Sequence, residues 1–307
     1  MDKQEQQGQL AGELTGAAPE TGKKGKKKKE KEKKPLGQEI LSWVLTILGA
    51  VAAALVIRSV IFEPVRVDGA SMNDTLADGE IMFVSKFDYS STWLSMPWQS
   101  DEEKQQAPRL TLGGNPNRFD VVICRYPGRG DLNFVKRVIG LPGDTVELNN
   151  GILFVNGEQY DEAYVNDEYR TGSLNTFGPA TVPAKGDTVT VRETEGGYAL
   201  WLNDTEWDYR VMRNGITVTD GDGKKMEITG GGGITYDGTQ VTATNAAEML
   251  QGLTGKTFTV GQDYFFVMGD HRNNSNDSRS QGPITRDMIV GHVRTVLFPF
   301  GQWRGVE

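Results

Sequence analysis

The sequence predicts a mostly β protein, with one transmembrane helix at its start and a second β domain inserted into the first. Three observations predict this. A single uncharged apolar run, residues 40–57, precedes every other segment able to fold. Beyond it, short runs rich in Val, Ile, Thr and aromatic residues alternate with turn residues, and glycine is abundant at 38 of 307 positions. Finally, residues 156–260 add further β-like pieces among glycine-rich loops and carry no recognisable chemistry. A chain of 307 residues is long enough for one or two domains with a sizeable core.

Residues 1–35 carry KKGKKKKEKEKK at 23–34 and almost no apolar side chains, so they cannot bury enough surface to fold. They read as a disordered lysine-rich tail. A nucleic-acid arm has the same composition, but the position of the tract decides against it, because ILSWVLTILGAVAAALVI follows at 40–57. Those 18 residues rise about 27 Å as a helix at ~1.5 Å each, enough to span hydrocarbon. A transmembrane helix is therefore expected over 36–58, with the lysines on the cytoplasmic side and everything after Arg58 outside. Ala50-Val51-Ala52 resembles a cleavage site of the A-x-A kind, but the apolar run continues through it to Ile57, so a retained anchor is expected.

Past the anchor, strands are expected at 60–67, 80–86, 119–126, 133–140 and 145–148, and Asn150-Gly151 should close a hairpin onto ILFV. These belong to a first β domain of residues 59–155 and 261–307, with 156–260 inserted. Residues 88–117 turn polar, contain Trp93 and Trp98, and read as a loop facing either the membrane or the core. DGDG at 220–223 reads as a hairpin turn, and GGGG at 230–233 lacks the Lys-Ser/Thr of a phosphate loop.

Composition excludes several chemistries. Of 33 basic and 41 acidic residues, ten and six lie in the tail, leaving it at +4 and the rest at −12, a poor partner for nucleic acid. The one cysteine, Cys124, sits in the apolar run VVICRY as a buried structural thiol and cannot form an intrachain disulfide. With only His271 and His292, a His-based zinc site or a His-activated nucleophile has few candidates.

Three stretches remain that could carry chemistry. GASMNDTL, 69–76, places Ser71 a short way past the anchor. FVKRVIGLPGDTVEL, 134–148, puts Lys136 on one strand face with Phe134 and Val138, and Arg137 on the other. A lysine held among apolar side chains loses hydration and becomes a neutral amine; on its own, though, the stretch fits a solvent-facing lysine better. VMGDHRNNSNDSR, 267–279, follows the strand DYFFVMG and combines turn formers with alternating charges. It is either a surface turn or a hydrogen-bonded network that fixes geometry.

Taken together, SMNDTL, RFDVVI (118–123), FVKRVIGLPGD and GDHRNNSNDSR, in this order behind one anchor, strongly resemble the bacterial type I signal peptidases. The resemblance covers the anchor, 58–86, 117–148 and 263–298, and leaves the tail and most of 156–260 unmatched. It implies a signal-peptidase-type catalytic β fold with a Ser/Lys dyad, Ser71 as nucleophile and Lys136 as general base. By the same resemblance Ser275 orients the lysine, Asp277 and Arg279 hold the loop, and the backbone N–H of Ser71 donates to the oxyanion. The implied substrates are exported precursors with small residues at −1 and −3, met at the lipid bilayer, with no metal or organic cofactor.

The chain departs from the family pattern at three places. Asp74 and His271 stand where proline and asparagine are most frequent, and Gly69 replaces a hydroxyl that some members place two residues before the nucleophile. Only 13 residues separate Arg58 from Ser71, at most about 43 Å at ~3.3 Å each, which tethers the serine near the outer membrane surface. Two other readings fit parts of the pattern: a related Ser/Lys regulatory protease, or a non-enzymatic anchored β protein that binds through 156–260.

Overall fold

The computed structural model describes residues 35–89, 91–93, 100, 109–111, 113–126, 132–230, 233–242 and 244–306. The lysine-rich tail, Trp98 and half of the GGGG run lie outside these residues. The chain divides into two compact units, Met1–Leu48 and Gly49–Glu307. The apolar run forms a helix, Leu36–Val56, long and apolar enough to cross a membrane, with no buried residue. A short turn of π-helix follows at Ile57–Ile61, shortening the strand expected at 60–67 to Phe62–Arg66.

In the second unit the first sheet runs Phe62–Arg66, Ile81–Ser85, Ile289–Phe298, Val121–Cys124, Phe134–Gly140, Tyr264–Met268, Ile284–Thr285, with Arg304–Gly305 pairing onto the long strand. Every pairing in it is antiparallel. Strand Phe134–Gly140 lies beside Tyr264–Met268, so the chain leaves this sheet at Gly140 and returns next to the strand it left.

What lies between forms two more sheets. One contains Thr145–Asn149, Ile152–Val155, Glu158–Tyr160 and Phe177–Thr181. Its Asn-Gly hairpin forms as expected: Asn150 and Gly151 both have positive φ, 50° and 83°, as a type I′ turn requires. The other is an eight-stranded sheet drawn from residues 188–260, in which the DGDG segment joins Ile216–Asp220 to Lys225–Ile228 as a hairpin. Asp220 Oδ1 accepts from the amides of Asp222 and Lys224 at 3.0 and 2.9 Å, so the aspartate side chain builds that turn.

Burial differs between the sheets. Strands Ile216–Asp220, Lys225–Ile228 and Thr257–Val260 bury alternate residues, as a sheet wet on one face does. Strands Val121–Cys124 and Tyr264–Met268 are buried throughout, and Phe134–Gly140 is buried at every position except Phe134. The central strands of the first sheet are thus covered on both faces, which removes the solvent-facing option for Lys136. Leu148, Val155, Val191, Leu202 and Phe258 of the later sheets share one apolar cluster with Ile139 and Phe266 of the first.

Candidate active site

Ser71 sits in the turn-rich segment between Phe62–Arg66 and Ile81–Ser85. The segment is pinned from inside by Met72 and Leu76, buried in the core with Met82, Val84 and Val121. Its backbone turns tightly, Leu76 N donating to Met72 O at 2.7 Å. Polar contacts fix its far end. Thr75 Oγ1 donates to Asp270 Oδ2 at 2.5 Å, and the Arg304 guanidinium donates to Thr75 O and both oxygens of Glu80. Gly69, two residues before Ser71, has φ 103°, a conformation glycine adopts without strain. Asp74 has φ 75°, which a proline ring forbids, so this loop takes a path that a proline at this position could not follow.

Lys136 and Arg137 are both buried. Lys136 lies on the face of Phe134 and Val138, among the apolar side chains of Val122 and Cys124. Its Nζ is 2.8 Å from Ser71 Oγ and donates to Val135 O at 2.7 Å. Burial pushes its pKa down from the usual lysine range; the negative charges of Asp277 and Asp270 act the other way without cancelling it. Cys124 beside it stays a thiol, its pKa pushed up to about 12 by burial. Arg137, on the opposite face, makes a two-pronged ion pair with Asp270 at 3.0 and 2.8 Å, stacks on Tyr164 at 3.9 Å and donates to Phe119 O at 2.9 Å.

The polar loop after Met268 is a network, not a surface turn. Asp277 is fully buried, accepts from Gly269 N at 3.0 Å and pairs with Arg279 through both oxygens, at 2.9 and 2.7 Å. Burial alone would raise its pKa, but the hydrogen bonds and charge of Arg279 hold it below the ordinary carboxylate range. Arg279 also donates to Leu174 O and Arg272 O. Gly269 allows the loop to press against Ser71, since a Cβ there would collide with Ser71 O and Ser275 Oγ. Ser275 Oγ is buried beside this contact and faces Asp277, whose pKa it helps to lower, and Lys136 takes its partners elsewhere. The structure thus brings Ser71 and Lys136 into contact and places Asp277 with Arg279. It puts Ser275 next to them without a bond to the lysine.

Sequence reasoning missed one group of contributors. Residues 162–175, in the stretch read as having no chemistry, brace the polar loop. Glu162 is buried and bonds both guanidinium nitrogens of the equally buried Arg272, while also accepting from Tyr164 and Arg170. Tyr169 stacks on His271 with ring centroids 3.8 Å apart. A buried arginine after a core strand demands a carboxylate, so Arg272 was the available signal, but nothing in the sequence said which one.

A serine hydroxyl is a poor nucleophile until a neutral base takes its proton. A desolvated lysine amine is one such group, and here one lies 2.8 Å from the serine oxygen on a mostly β fold. Residues 40–298 match the family described as signal peptidase, peptidase S26. Signal peptidase I S of Bacillus subtilis (strain 168) is 34% identical over 275 residues, covering 87% of this chain and 94% of that protein. Signal peptidase I of Bacillus licheniformis is 32% identical over 181 residues, 59% of this chain and 82% of that protein. A solved signal peptidase I from Enterococcus faecalis matches 59% of this chain and 97% of that one at 23% identity, with a TM-score of 0.28 that adds nothing about the fold. The chain belongs to the bacterial type I signal peptidases of peptidase family S26 and is a serine endopeptidase.

Proposed function

We propose that this enzyme removes N-terminal signal peptides from exported precursors through a Ser71/Lys136 dyad. The observation that carries the reading is the 2.8 Å approach of the buried Lys136 Nζ to Ser71 Oγ. As a neutral amine, Lys136 keeps one N–H on Val135 O and turns its lone pair to the serine hydroxyl, which then donates to it. Ser71 Oγ attacks the scissile carbonyl as its proton passes to Lys136. The backbone N–H of Ser71 donates to the oxyanion that forms. The lysine ammonium returns the proton to the departing amine, leaving an acyl-enzyme on Ser71 that water hydrolyses with the same base. Ser275, Asp277 and Arg279 support the dyad by holding the loop that packs on Ser71.

In this reading residues 59–155 and 261–307 form the catalytic β domain, and 156–260 an inserted β domain. The helix Leu36–Val56 anchors the chain in the bilayer, with the lysine-rich residues 1–35 cytoplasmic and the rest outside. The precursor lies extended along a strand edge, small residues at −1 and −3 entering shallow pockets. The test is cleavage of an A-x-A precursor peptide by the full chain in detergent. Ser71→Ala and Lys136→Ala should each abolish turnover while both proteins keep their melting cooperativity; wild-type turnover in either sinks the dyad.

A further inference from the structure

Two contacts of His271 fall on the backbone around Ser71. Its ring Nδ1 lies 3.0 Å from Ala70 O, and its backbone N–H donates to Ser71 O at 3.1 Å. Facing a carbonyl oxygen, Nδ1 must carry the proton and donate. Ala70 O and the N–H of Ser71 belong to one planar peptide unit, with the carbonyl and the amide pointing in opposite directions. A grip on the oxygen therefore fixes where the N–H points, and a carbonyl already engaged polarises its own amide as a donor. The ring that makes the grip is held in turn by its stack on Tyr169, from the segment that also supplies Glu162 to Arg272.

We propose that His271, seated on Tyr169, is a positioning residue that aims the Ser71 backbone N–H at the oxyanion of the tetrahedral intermediate. This rests on the Ser71 reading above. It gives residues 162–175 a task in the reaction, and gives a physical role to a histidine that stands where asparagine is most frequent in the family. Asparagine also has an N–H donor on a short side chain, so both residue types can grip Ala70 O.

The effect should lie in turnover, because the oxyanion exists only in the transition state and its vicinity. Loss of an oxyanion donor itself costs ~10²–10³ in kcat, and loss of a residue that only aims the donor should cost less, about tenfold. The test uses the full chain in detergent and an A-x-A peptide substrate. His271→Phe keeps the stack on Tyr169 and removes the donor; kcat should fall about tenfold at unchanged KM and melting temperature. A peptide aldehyde, which forms an oxyanion on Ser71, should bind about tenfold more weakly to it, while a non-cleavable peptide binds as before. His271→Asn should recover most of the loss, and Tyr169→Ala should show a smaller loss in the same direction. Wild-type kcat and aldehyde affinity in His271→Phe would overturn the proposal. So would a loss in His271→Phe that His271→Asn does not recover, or one that follows melting temperature and KM together. Ser71→Ala, run alongside, separates the two levels: turnover there overturns the dyad itself, whereas an inert Ser71→Ala with an unaffected His271→Phe overturns only the role of His271.

Discussion

Lys136 and Arg137 are consecutive in one strand, both buried, and their surroundings differ in one respect. Arg137 meets the carboxylate of Asp270 through two nitrogens, whereas Lys136 meets a hydroxyl and a carbonyl, and among the described residues no carboxylate lies within ion-pair distance of it. A guanidinium cannot shed its proton and so must be buried with a counter-charge. An ammonium can shed its own, and burial without a counter-charge makes it do so. Because adjacent strand positions project to opposite faces, a structural cation and a titratable one can sit one residue apart without sharing an environment. Burial lowers the pKa of Lys136 because, among the described residues, no carboxylate comes within ion-pair distance to offset it.

The strongest way to break this contrast is to take the carboxylate from Arg137. Asp270→Ala takes the carboxylate from a fully buried guanidinium and should cost about 3–5 kcal/mol of stability, read from denaturant unfolding. A loss below about 1 kcal/mol would mean that Arg137 is solvated by other routes and that the two cations are not distinct. Asp74→Pro is expected to be milder and more local. Proline fixes φ near −65°, against 75° at Asp74, so Thr75 must turn and release Asp270. A loss of about 1–3 kcal/mol and a reduced kcat are expected, with the acid limb of the pH–rate profile unmoved because Lys136 keeps its surroundings. An acid limb that shifts would show that the serine loop, and not burial, sets the lysine's pKa.

Legibility in the sequence follows the range of the interactions. The strands around Ile81–Ser85, Phe134–Gly140 and Thr145–Asn149 and the Asn150-Gly151 turn were readable because alternation and turn chemistry are local. The contact of Lys136 with Ser71 spans 65 positions, and only the resemblance joined them. The burial of both strand neighbours was not readable, since one strand cannot announce that its sheet is covered on both faces. Glu162 was missed for the same reason: its partner Arg272 is 110 positions away, and DEAYVNDEYR reads as an ordinary polar loop. His271 looked like a harmless departure from the family pattern until its ring was found on the carbonyl of Ala70.

The smallest expected effect is also the most direct test of the contrast. Lys136 has a folded pKa below its unfolded value of ~10.4, so between the two the unfolded chain binds one more proton. Stability therefore rises with pH through that window, and the penalty for burying this amine is fully present only below it. Lys136→Met keeps the apolar stem and removes the penalty. Its melting temperature should exceed that of the wild type near neutral pH, and the difference should shrink as the pH approaches ~10. Wild-type activity should climb along the same rise in pH, as the amine becomes neutral and able to accept the serine proton. Arg137→Met should behave oppositely, leaving buried Asp270 without its guanidinium partner and lowering the melting temperature. If Lys136→Met instead melts below the wild type at neutral pH, the lysine is held as a stabilised cation, the two neighbours are alike, and Lys136 is not the base.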